Sequence, residues 1–165
     1  SISSVILLLT SSLISKYKSP ERGNSIDITN QGFVLKDDLS STVKKELAWG
    51  SNIILTATSA ITILVYYKKE ILLHRGGIGQ SSYQPGAVYN QVIEKGELVS
   101  LVNTKFYPGR SEFDNVYPGL PSIILIPISS NGIIIIGGNS DRCFTKSDEK
   151  WFIGWCQKIE SILWM

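Results

Sequence analysis

The sequence predicts an α+β fold, an antiparallel sheet with covering helices, and three observations lead there. From Ile61 to Leu73 the residues are β-branched or aromatic and nearly continuous, broken only by Lys68-Lys69-Glu70, which reads as two strands and a tight connection. Ser129-Ser130-Asn131-Gly132, set between Ile123–Ile128 and Ile133–Ile136, reads as a second hairpin, because Asn-Gly tolerates the positive φ of a primed turn. Apolar residues recur at helical spacing before the first ribbon and after the second. Hairpins with helices gathered to one side describe a sandwich on an antiparallel sheet.

The chain has 165 residues, 18% of them charged, with a net charge of +2. That length suffices for one domain with its own core, and so weak a charge supplies no field for nucleic acid. Cys143 and Cys156 form no disulfide framework, and a single histidine, His74, excludes a multi-histidine metal site.

Ser1–Ser15 carries no charge and holds a Val-Ile-Leu-Leu-Leu core. As a helix it reaches about 22 Å, against a bilayer core of roughly 30 Å. It reads as a truncated membrane-helix remnant, leaving the bilayer at Lys16, Tyr17, Lys18 and Arg22 on the positive-inside face; an amphipathic or core helix is the alternative. Residues 1–18 then form an anchor, 19–38 a linker rich in turn residues with a short strand possible at Gly32–Leu35, and 39–165 the folded domain.

Asp37, Asp38, Ser40 and Ser41 offer capping oxygens to a helix carrying Leu39, Val43, Leu47 and Ile54. Gly50 within it implies close backbone packing or a kink. After the ribbon, Pro85 suits the first turn of a short helix that ends near Lys95, with Gly96 as its stop. Leu98–Asn103 and Ile123–Ile128 have strand character, and Pro127 must turn its N side to an edge or bulge. The unbroken apolar runs of the second hairpin imply burial on both faces, one under helices and the other against something else, such as a partner. The last helix starts at Thr145 with Asp148 as its capping-box residue, and its inner stripe reads as Trp151, Trp155, Ile159 and Ile162.

Few residues carry recognisable chemistry. Arg75-Gly-Gly-Ile-Gly79 lacks both phosphate-loop patterns and reads as a turn. Phe106–Asp114 concentrates aromatics, a Pro-Gly turn, Arg110 and two carboxylates, so Tyr107, Arg110, Glu112, Phe113 and Asp114 form either an internal loop clamp or a protein-recognition surface. A catalytic carboxylate pair is a third option, without an accompanying nucleophile. His74 is the weak candidate for a cofactor ligand, Cys143 just ahead of the helix cap the candidate reactive thiol, and Cys156 a core residue.

The order of elements resembles the GAF-type sensor fold. Three stretches, Val43–Ser51, Tyr107–Asp114 and Gly137–Trp151, together resemble the cofactor assembly of complex C family, B-subunit type, of cyanobacteria and plastids, as do Leu64–Lys68 and Leu72–Gly76. The resemblance implies two membrane helices, of which Ser1–Ser15 matches the end of the second, ahead of a stromal or cytoplasmic domain at the thylakoid membrane. It implies a non-enzymatic assembly factor for the cytochrome b6f complex that assists covalent haem attachment to cytochrome b6, paired with a related assembly factor. It supplies no catalytic residue and no metal. Haem is possible as a transient ligand, and direct haem contact within a lyase complex, or a small-molecule sensor, are the alternative functions.

Overall fold

A computed structural model of the chain describes residues 30–164; the expected anchor at 1–18 and most of the expected linker lie outside the described residues. Six strands form a single sheet in the order β1-β3-β2-β6-β5-β4, every neighbouring pair antiparallel. They are β1 (Gln31–Leu35), β2 (Ala60–Tyr67), β3 (Glu70–Gly77), β4 (Val99–Leu101), β5 (Ser122–Ile128) and β6 (Gly132–Gly138), and the helices are α1 (Ser41–Ala57), α2 (Ala87–Lys95) and α3 (Lys146–Leu163). The strand expected at Gly32–Leu35 is thus a full member of the sheet, paired with β3 ahead of the Leu39 boundary.

Strands β2 and β6 are buried along their whole length. Their side chains divide by alternation into two cores. Ile63, Val65, Ile134, Ile136, Ile124 and Ile126 face α1 and α3, which contribute Leu47, Ile54, Phe152, Trp155 and Ile159. Leu64, Tyr66, Ile133, Ile135, Ile123 and Leu125 face the opposite layer, which consists of α2 and the loops that carry Tyr83, Phe113, Val116, Tyr117 and Leu120. The second face expected to await a partner is therefore covered by the chain itself.

Both ribbons form, by turns other than the ones the composition suggests. Lys68 and Lys69 take positive φ between β2 and β3, a conformation that glycine or asparagine adopts at lower cost. In the β5–β6 connection the positive φ falls on Ser129, not on Asn131-Gly132. Gly132 is required for closeness, since a Cβ there would overlap the Tyr66 carbonyl. Pro127 sits in an internal strand, but β4 pairs only with Ile123–Leu125, so β5 has no neighbour on its outer side at the proline.

Ser40 caps α1 by accepting from the Val43 N–H, and Thr145 and Asp148 make the expected capping box on α3. The inner stripe of α3 is Phe152, Trp155, Cys156 and Ile159; Trp151 is 77% exposed. At 100° per residue the stripe centres between Phe152 and Ile159, which leaves Trp151 roughly a quarter turn away. Gly50 is the point of closest approach between α1 and α3, because the Trp155 indole occupies the space that a Cβ would need. Gly50→Ala gains helix propensity worth about 1 kcal/mol and loses more by overpacking, about 1–3 kcal/mol. The expected result is a lower urea midpoint for Gly50→Ala in the native background and a higher one when Trp155→Phe has removed the overlapping ring.

Candidate functional site

The Phe106–Asp114 segment folds as two short 3-10 turns, Thr104–Phe106 and Arg110–Phe113, and divides into an inward and an outward half. Glu112 points inward. Helix α2 begins at Gly86 with no side-chain cap, and the Glu112 carboxylate accepts from the Val88 N–H at 2.9 Å and the Tyr89 N–H at 3.0 Å. A carboxylate at this end also meets the positive pole of the helix. Gly86 makes room for it, since a Cβ there would strike Glu112. Tyr83 donates its hydroxyl to the same carboxylate at 3.3 Å, and its ring stacks on Phe113 at 6.2 Å between centroids. Burial and the Glu112 charge push the Tyr83 phenol upward, so it stays a donor.

Phe113 is buried, and Tyr107 is half-buried with its hydroxyl toward Gln91 of α2. Arg110 and Asp114 remain exposed. They line an open hollow of about 710 Å³, together with Lys105 and, from the β6–α3 connection, Asp141. Arg110 donates to the Lys105 carbonyl at 3.3 Å. Thr104, buried at the base, donates to the Leu120 carbonyl at 2.6 Å. Phe106 stands beside this segment at 84% exposure. Two cations and two carboxylates on one rim suit a partner surface of mixed charge.

His74 lies apart from the hollow, on the second face of the sheet. Its Nε2 is 3.1 Å from the Gly77 carbonyl, which also accepts from the Thr62 hydroxyl at 2.6 Å, and the backbone of Val116 offers another partner. Burial lowers its pKa. Arg75, on the other face, donates to the Ala48 carbonyl at 2.9 Å and to the Ser51 hydroxyl at 3.2 Å, beneath the Phe33 ring. It ties β1 and β3 to α1. The glycines after it serve close packing: Gly77 lies under the Tyr117 ring and Gly79 against the Asn115 carbonyl. The Ile78 and Gly79 N–H groups bond to Asn30 and Val116, so they are not directed at an anion.

Cys143 lies 3.2 Å from the Ser122 hydroxyl, whereas Cys156 is buried in the core and its thiol is pushed up to about 12. Among the described residues no cluster of His, Cys, Asp and Glu is placed to hold a metal ion, and no helix is long and apolar enough to cross a membrane. Sequence reasoning singled out Glu112 but missed its use. The available signal was a helix opening with Pro85-Gly86 and no capping side chain, which requires an acceptor from elsewhere.

A six-stranded antiparallel sheet with helices on both faces and a polar hollow at one rim is a domain of the GAF type. The GAF domain of an Acinetobacter phosphoenolpyruvate-protein phosphotransferase superposes with a TM-score of 0.52 at 18% identity, over 75% of this chain and 93% of that one. The type II free methionine-R-sulfoxide reductase of Thermoplasma acidophilum does so with a TM-score of 0.56 at 15% identity, over 72% and 89%. Residues 1–159 match the CCB2/CCB4 family, the B-subunit type of cofactor assembly of complex C proteins, and the chain belongs to that family. It is 29% identical over 142 residues to the chloroplastic cofactor assembly of complex C protein CCB4 of Arabidopsis thaliana, matching 79% of this chain and 48% of that one. The chain thus spans about half the length of that relative.

Two outcomes follow from the buried groups. Glu112→Ala leaves two N–H groups of α2 without their acceptor and lowers stability by about 2–3 kcal/mol; Glu112→Gln, which keeps one acceptor, recovers part of it in urea unfolding. The His74 ring resists protonation in the folded chain and accepts it in the unfolded chain at its ordinary value near 6.5. Its contribution is therefore complete above that pH and is lost as pH falls through it toward the lowered folded value. Urea midpoints at pH 7.5 and 5.5 are expected to separate further for the native chain than for His74→Gln.

Proposed function

We propose that this chain is the GAF-type domain of a thylakoid-membrane-tethered assembly factor for the cytochrome b6f complex. It assists covalent haem attachment to cytochrome b6 as a non-catalytic, protein-binding scaffold on the stromal or cytoplasmic side. The observation that carries the reading is the family match along residues 1–159, and the chloroplastic relative agrees with it. Its partners are a related assembly factor, in a heterodimer of paralogues, and cytochrome b6. The recognition surface is the outward half of the Arg110 segment, with Arg110 and Asp114 in the hollow and Tyr107 on its inner flank, while Glu112 and Phe113 hold that segment in place.

The geometry gives the scaffold reading its support. The second sheet face, where a small-molecule sensor would need space, is filled by Tyr83, Phe113, Val116, Tyr117 and Leu120. Haem as a transient ligand would have to draw on His74, and that ring is already bonded to backbone carbonyl oxygen in a buried setting. In a photosynthetic host lacking the gene, the full-length wild-type gene is expected to restore covalently haem-stained cytochrome b6. Arg110→Glu is expected to restore it poorly and to lose co-purification with cytochrome b6 or the related assembly factor. Normal haem attachment in cells without the gene would refute the proposal.

A further inference from the structure

The outer surface of the helical layer has a composition that packing does not require. Exposed residues of α1 include Lys45, Trp49 and Ile53, and those of α3 include Lys150, Trp151 and Lys158. Trp49 is 59% and Trp151 77% exposed. No fully exposed residue of either helix is a carboxylate. Their acidic side chains are at least partly covered, and most are engaged: Glu46 pairs with Lys158 at 3.1 Å, Glu149 with Lys146 at 3.2 Å, Asp148 closes the capping box, and Glu160 is half-buried. Asp37 and Asp38 are exposed but lie in the turn ahead of α1.

The two sets meet along one seam. The Lys158 ammonium lies 5.6 Å from the centre of the Trp49 ring, and the Trp155 indole rests on Gly50. Trp151, one turn before Trp155, projects along the same flank of α3. Exposed tryptophan among lysines, without free carboxylates, complements an anionic lipid surface: the rings enter the headgroup layer and the ammonium groups meet its negative charge. A protein partner is the weaker match, because lysine is depleted from protein interfaces. The chain enters the fold on this side, since Gln31 and Gly32 share a groove with Asn52, Leu55 and Thr56 of α1. Ahead of that entry the sequence holds the uncharged stretch Ser1–Ser15 followed by Lys16, Lys18 and Arg22.

We propose that the outer face of α1 and α3 lies against an anionic bilayer surface, with Trp49, Ile53 and Trp151 in the headgroup layer and Lys45, Lys150 and Lys158 over it. The inference rests on the membrane address proposed above and adds which face of the domain meets the lipid. The test mixes the full chain with phosphatidylcholine vesicles, with and without phosphatidylglycerol, whose acyl chains are brominated, and reads tryptophan quenching beside sedimentation. Quenching is expected to be strongest with phosphatidylglycerol, to fall at least about threefold in Lys45→Glu/Lys150→Glu, and to be largely removed in Trp49→Phe/Trp151→Phe. All four positions are exposed, and unchanged melting verifies the fold. Sedimentation with quenching unaltered in both variants would overturn the assignment of this face while leaving the membrane address standing. Failure to sediment with any vesicle would overturn both. A dimer in solution that these variants dissociate, with no change in quenching, would overturn the lipid assignment and give the face to a second copy of the chain.

Discussion

The structure depends on a sheet that is apolar on both faces. The central strands β2 and β6 keep no residue in solvent, and uncovering either side would return to water a surface whose burial is the main favourable term in folding. Each face therefore needs its own cover. On one side the cover is regular: α1 and α3 pack against each other and the sheet, and Gly50 lets them approach closely enough for Trp155 to seal the seam.

The other side has only the nine residues of α2 and a run of irregular chain to work with. Irregular chain covers a sheet only when its backbone polar groups are satisfied, and the Glu112 carboxylate meets that need for the first turn of α2 while anchoring Tyr83. The Tyr83–Phe113 stack and the edge-on contacts of Tyr66 with Tyr83 and Tyr89 then fill the layer. Loop curvature leaves a polar hollow at the rim, so the hollow is a consequence of covering a sheet with loops.

The strands were legible because their apolar runs are long and their boundaries carry polar punctuation. The caps of α1 and α3 were legible because Ser40, Thr145 and Asp148 act within three residues. What escaped was non-local. The stripe of α3 is set by the angle at which the helix meets the sheet, and Trp151 satisfies the sequence pattern while standing outside the contact. The positive φ at Lys68, Lys69 and Ser129 is imposed by strand twist and register against the residues' own preference. The Phe106–Asp114 segment was recognisable as unusual, but its division into Glu112 and Phe113 inward and Arg110 and Asp114 outward depends on where α2 docks, and no spacing in the sequence records that.

Domains of the same shape at 15–18% identity include a phosphotransferase module and a sulfoxide reductase, so shape leaves activity open. The informative residues are large side chains that the fold does not use. Truncating Leu64 or Phe152 would open the core, but Phe106, Trp49 and Trp151 rest mostly in water and contribute little to either cover. An exposed tryptophan carries a hydration cost that a polar residue at the same position would avoid. Arg110 likewise stands at the rim with one backbone bond, although Glu112 and Phe113 already hold its segment. These positions lie on different sides of the sheet, Trp49 and Trp151 on the helical layer and Phe106 and Arg110 on the loop layer. A domain whose interior is consumed by its own packing has two surfaces left with which to meet other molecules, and their chemistries, tryptophan with lysine on one and paired opposite charges on the other, suit different neighbours.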